Sequence, residues 1–260
     1  AKYALYALGL ATTSFGLEAG LTSDFSSWLD KNGYESYDFK REDLVGGSYG
    51  GKTSADEKLS HQPVVFLHGN SDVAVGETYW QTGFTQTIEY FLEQGYTKGE
   101  LYITTWGDGD KDNASTRTHN YDTLIRLRKF IEAVMDYTGA EKIDVISHSM
   151  GVTLGRKILK GGIPIGDAQN RSLGAPLTDK VDTFIGLCGG NLGLTNCYSF
   201  PDLLATCNAV NGYYPGTEDS TDMSAYMIDI KNDTTKEAEN VYAMFSTADD
   251  LIMYNDIVWG

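Results

Sequence analysis

The stretch that most constrains this chain is Glu141 to Leu159, EKIDVISHSMGVTLGRKIL. Ile143, Val145 and Ile146 are β-branched and apolar, as a buried strand requires. Ser147-His148-Ser149-Met150-Gly151 follows, and then Val152, Leu154, Ile158 and Leu159 form an apolar-periodic run. The pattern predicts strand, tight turn, helix. A serine at such a turn lifts its hydroxyl above the sheet edge, where the next N–H and the positive end of the helix face any oxyanion formed there. Small residues two before and two after the serine permit the turn. Here they are Ser147 and Gly151, where the usual pattern is G-x-S-x-G. Ser149 as an ordinary helix N-cap is the plainer alternative. The strand before it and the helix after it favour a nucleophile.

Other segments repeat the alternation. Pro63 to His68, PVVFLH, reads as a buried strand ending in His68-Gly69-Asn70. A loop at this place can supply a second oxyanion donor, here the Asn70 N–H, with His68 ordering the loop. Thr78 to Gln94 reads as an amphipathic helix through Trp80, Phe84, Ile88, Phe91 and Leu92. Leu101 to Trp106 is the next strand and Tyr121 to Thr138 the clearest helix, closed by Gly139. Strands therefore alternate with helices, which predicts an α/β fold with a mostly parallel sheet and function at the carboxyl ends of its strands. Ser23 to Lys31 is a short helix capped by Ser23 or Asp24, and the glycine-rich Gly46 to Lys52 reads as a flexible loop. Val181 to Cys188 and Val241 to Phe245 are further strands, the last running into Ser246-Thr247-Ala248-Asp249-Asp250. Between them, 189–237 is a long insertion carrying Tyr198, Phe200, Leu203, Leu204, Tyr213 and Tyr214, read as an apolar cover beside the site.

The 260 residues fit a single domain, 1–260. A net charge of −16 argues against nucleic acid and anionic membrane partners, while leaving adsorption to a neutral lipid droplet open. No apolar run approaches membrane-spanning length. Cys197 and Cys207 flank a short loop and are the expected disulfide, with Cys188 a buried free thiol. Glycosylation sequons start at Asn113, Asn170 and Asn232, and with the disulfide they indicate a secreted protein. Lys2 and the apolar residues after it make 1–20 a signal remnant or N-terminal extension. Asp108, Asp110 and Asp112 lack the glycine and final glutamate of a calcium loop and read as a solvated loop.

HQPVVFLHGN, LYITTW, TGAEKIDVISHSMG, VDTFIGLCGGN and STADDLIMYN, in that order, resemble the class 2 lipases, nearest their secreted animal branch, over His61 to Gly260. The resemblance implies a three-layer α/β-hydrolase fold and a lipid or small ester substrate, with no metal or organic cofactor. It carries the nucleophile to Ser149, the oxyanion donors to the N–H groups of Asn70 and Met150, and the acid to Asp249, with Asp250 as runner-up. In this fold a histidine follows the acid. The four histidines, His61, His68, His119 and His148, all precede Asp249. The expectation is that the C-terminal strand and histidine loop lie outside this sequence. His119 as an internal base and a non-catalytic lipid- or protein-binding relative are the alternatives.

Overall fold

The computed structural model describes residues 17–199, 203–216 and 222–252. The chain opens with a two-residue strand, β1 (Gly20–Leu21), and α1 (Ser23–Lys31), which Thr22 caps by accepting the Phe25 N–H. The cap thus falls one residue before Ser23. Next come β2 (Ser48–Gly50) and β3 (Val64–Leu67), then a separate hairpin of β4 (Val75–Thr78) and β5 (Gln81–Gly83). Helix α2 (Thr85–Glu93), β6 (Leu101–Thr104), α3 (Tyr121–Thr138), β7 (Ile143–His148) and α4 (Met150–Lys160) complete the central units. Strand β8 (Val181–Leu187), the short helix α5 (Ala225–Asn232) and β9 (Asn240–Met244) follow.

The main sheet has the order β1-β2-β6-β3-β7-β8-β9, parallel except where β2 runs against β6. Side-chain alternation divides its core. Val65, Leu67, Tyr102, Ile143 and Val145 pack with α1, α3 and α4, while Val64, Phe66, Leu101, Ile103 and Ile146 pack with α2. The chain moves from β3 outward to β6 and then crosses back to β7 on the other side of β3. That reversal is a topological switch point at the carboxyl ends of β3 and β7, the usual ligand position in such sheets. Ser149 and the 68–70 loop both fall there.

Two sequence expectations are corrected. Helix α2 begins at Thr85, not Thr78, because Gly83, at φ 53°, closes a hairpin instead of continuing a helical turn. Trp80, counted as the first apolar rung, stands in the hairpin turn and is exposed. Gly46 to Lys52 is not a flexible loop: it contains β2, whose three residues are buried. Its glycines are there for close approach, since a Cβ on Gly47 would lie 2.2 Å from the Arg41 carbonyl oxygen. The signal-remnant reading of the N-terminus falls mostly on 1–16, outside the described residues, and Phe200 lies outside them too.

Candidate active site

Ser149 joins β7 to α4 with φ 52° and ψ −122°, a conformation that costs a non-glycine residue about 1–3 kcal/mol. The turn is fixed from three sides. The Ser149 N–H donates to the Leu187 carbonyl at 2.8 Å. Ser147 is buried and its hydroxyl donates to the Ile185 carbonyl at 3.1 Å. Its partner across the ladder is Gly186, whose missing side chain leaves room for a serine where glycine is usual. Gly151 lies directly under β3: a Cβ there would sit 2.2 Å from the Leu67 carbonyl oxygen and 2.6 Å from that of His68. Gly151→Ala should therefore push α4 off β3 and cost about 3 kcal/mol. Urea unfolding checks this, and an unchanged midpoint would refute the close approach.

The loop after β3 is ordered by His68. Its buried Nδ1–H donates to the Gly69 carbonyl at 2.7 Å, and its Nε2 accepts the Trp106 N–H at 3.0 Å. The Trp106 indole N–H returns to the His68 carbonyl at 2.9 Å, with the rings stacked. The Asn70 side chain donates to the Ala114 carbonyl at 3.0 Å. A Cβ on Gly69 would be 3.1 Å from both Ser149 Cβ and His148 Nδ1, so this loop lies against the serine turn. Asn70 follows Gly69 in this loop, and Met150 follows Ser149 in the turn it lies against.

Beyond β9, a turn holds Asp249. Its N–H donates to the Ser246 carbonyl at 3.2 Å, and its Oδ1 accepts the N–H groups of Leu251 and Ile252 at 2.9 Å each. Asp250 beside it is exposed. Cys188 ties the ends of β8 and β9 together through its N–H to the Met244 carbonyl at 2.8 Å. Its thiol is free and half-buried, not fully buried as expected. Burial first, and then the Asp249 charge, raise the thiol pKa.

Sequence reasoning passed over Asp72. This half-buried carboxylate accepts the N–H groups of Val73 at 2.9 Å and Gly83 at 3.0 Å, joining the loop after β3 to the hairpin. Burial raises its pKa. Desolvation lowers the pKa of His148, which stands exposed at the end of β7, against the raising pull of the Asp72 and Asp249 charges. An aspartate two residues after Asn70 was the available signal for a side-chain-closed turn.

His119 is fixed elsewhere. Its ring is buried, with Nδ1–H donating to the Asn211 carbonyl at 2.9 Å and Nε2 2.7 Å from the Thr153 hydroxyl, which in turn meets the Tyr213 hydroxyl at 2.7 Å. It stacks on Tyr226 at 4.1 Å. His61 stacks on Tyr96 and meets Glu100 at 3.1 Å, at the amino-terminal end of β3. Burial lowers the pKa of His68 to about 3 and of His119 to about 4. Both should stay neutral at pH 5.5, read from their imidazole nitrogen shifts; a charged signal from either would contradict the packing. A folded pKa below the unfolded value leaves the stability intact above about pH 6.5. Each group then loses about 1.4 kcal/mol per pH unit as the pH falls towards its folded pKa, because only the unfolded chain takes up the proton.

The 189–237 segment covers α4. Among its described residues, Glu237 accepts from Arg156 Nε at 2.8 Å and lies 3.3 Å from Lys160 Nζ, while Asp229 pairs with Lys157 at 2.7 Å. Cys197 and Cys207 form the expected disulfide, buried in the same core. Asn113, Asn170 and Asn232 are all exposed. Among the described residues no cluster of three or more metal-ligating side chains occurs, and no helix is long and apolar enough to cross a membrane.

Comparison with known proteins follows the same lines. Solved structures with a similar fold include a Bacillus licheniformis lipase in its mature form, 16% identical, covering 72% of this chain and 67% of that one at a TM-score of 0.42. Legionella pneumophila phospholipase PlaB in complex with thio-NAD is 20% identical, covering 71% and 37% at 0.41. Aspergillus fumigatus lipase B is 12% identical, covering 57% and 29% at 0.36. The chain thus spans between 29% and 67% of the length of these proteins. The sequence profile of the family described as Lipase (class 2) matches residues 61–260. The chain belongs to the class 2 lipase family.

Proposed function

We propose that the protein is a secreted serine ester hydrolase acting on acylglycerols through an acyl-enzyme at Ser149. One observation carries the reading: Ser149 is held in a strained turn against the Gly69–Asn70 loop. The Ser149 hydroxyl attacks the ester carbonyl and loses its proton to an imidazole. The Asn70 and Met150 N–H groups stabilise the tetrahedral oxyanion, each contributing about 3 kcal/mol. Collapse releases the alcohol, and water then attacks the acyl-enzyme by the same route. Asp249, with its Oδ1 held by the Leu251 and Ile252 N–H groups, orients the imidazole.

In this reading the base is neither His68 nor His119. The positions of His68 and His119, with both ring nitrogens engaged in each, support that assignment. They equally favour a second reading, a lipid-binding relative that keeps the pocket without turnover. Secretion is supported by the buried disulfide and the three exposed sequons. A fluorophosphonate probe applied to the secreted protein separates the readings. An adduct mapped to Ser149 supports the hydrolase; an unlabelled but ligand-binding protein supports the relative.

A further inference from the structure

We propose that the Tyr79–Trp80 turn is an anchor that seats the protein on an electrically neutral acylglycerol–water interface, beside the loop that carries Asn70. The inference rests on the ester-hydrolase reading, and extends it from a site to a surface.

The β4–β5 hairpin stands between the Asn70 loop and α2. Its turn presents Tyr79, 86% exposed, and Trp80, 78% exposed, packed edge to face at 4.9 Å. Isolated apolar side chains on a surface mean little, but two adjacent aromatic rings at the tip of a braced projection are a different arrangement. The bracing is extensive. The Val75 N–H donates to the Gly46 carbonyl at 3.0 Å, the Phe84 N–H to the Ala74 carbonyl at 3.0 Å, and the Gly83 N–H to Asp72 at 3.0 Å. Gln81, the residue after Trp80, donates to the Ser71 carbonyl at 3.0 Å, one residue from Asn70. The rings are therefore held out on a structure coupled to the candidate site. Val45 is 98% exposed and lines, with Val75, Thr78 and Gln81, a cavity of about 240 Å³ at the foot of the hairpin.

Tyrosine and tryptophan suit a boundary where one side is apolar and the other wet, because each joins a large ring to a polar atom. The charge around them selects the boundary. Gln81 also donates to the Gly109 carbonyl, which brings the hairpin to the loop bearing Asp108, Asp110 and Asp112. Glu77 is exposed on β4 itself. The nearby cations are engaged, Lys111 by Asp112 and Arg117 by Asp108. An apolar tip set among carboxylates is repelled by an anionic bilayer and accepted by an uncharged lipid surface.

The test uses binding alone, so it stands apart from catalysis. Ser149→Ala protein is floated with triolein droplets coated in phosphatidylcholine, alongside the same protein carrying Tyr79→Ser and Trp80→Ser. The Ser149→Ala protein should float. Removing both rings should weaken partitioning by about tenfold or more, since two exposed aromatics would otherwise be buried. Phosphatidylglycerol in the coat should weaken it too, with recovery in high salt. Trp80→Phe should retain part of the binding, which keeps the test valid should the double substitution unfold. Equal flotation without the rings, tighter binding to phosphatidylglycerol, or loss of a concentration-dependent dimer instead of droplet binding would each overturn the anchor. Fluorophosphonate labelling of Ser149 would survive any of these outcomes, and the anchor would survive a failure to label.

Discussion

Replacing Ser149 by alanine is expected to lower kcat for ester hydrolysis by about 10⁴-fold or more and to abolish fluorophosphonate labelling. In the proposed mechanism a water molecule must then attack without a covalent intermediate, with only the N–H groups of Asn70 and Met150 left to stabilise the oxyanion. KM should change little, because the hydroxyl contributes to the transition state and not to substrate burial. The same residue gives a stability measurement. Its φ of 52° is a glycine-like value. Ser149→Gly should therefore be as inactive as the alanine variant yet stabilise the fold by about 1 kcal/mol. Alanine keeps the strain and should be near neutral. Steady-state kinetics and urea unfolding of the pair give four numbers. A glycine variant no more stable than alanine would show that the turn is not strained, and an active alanine variant would end the nucleophile assignment.

The largest loss of stability is expected from Glu237→Ala. Glu237 is 2% exposed and neutralises Arg156 Nε at 2.8 Å and Lys160 Nζ at 3.3 Å, both cations being buried in α4. Truncation removes the carboxylate that both buried cations share, which costs about 3–5 kcal/mol. For a domain of this size that lowers Tm by roughly 6–20 °C. Glu237→Gln should fall between, keeping a hydrogen-bond acceptor without the charge. Calorimetry checks the order. A Tm unchanged in Glu237→Ala would show that water or another carboxylate compensates the cations.

Local pattern was enough for much of this fold. Ser23–Lys31 and Tyr121–Thr138 run over the residues their apolar spacing implied, because caps and a terminal glycine lie within a few positions. The elbow at Ser149 was legible for the same reason. What local pattern misread was set by pairings between segments, some near and some far off in sequence. Trp80 fits a helical stripe with Phe84 and Ile88, and only the pairing of Thr78 with Gln81 turns the chain before it. All eleven residues of α4 are buried, Arg156, Lys157 and Lys160 among them. Their partners, Asp229, Asp233 and Glu237, are spaced four apart about 75 positions later, a match visible only once the two segments are placed together. His119 likewise looked available on a polar loop, and Asn211, 92 residues away, determines its role.

The 189–237 segment has one further consequence, a mechanical one. A lid must lift at small cost, and lids are drawn from the weakly held parts of a protein. Here the segment is riveted to α4. Raising it would strip Arg156 and Lys160 of their countercharge and break the chain of hydroxyls from Tyr213 through Thr153 to His119. Its described residues behave as a fixed cover on α4.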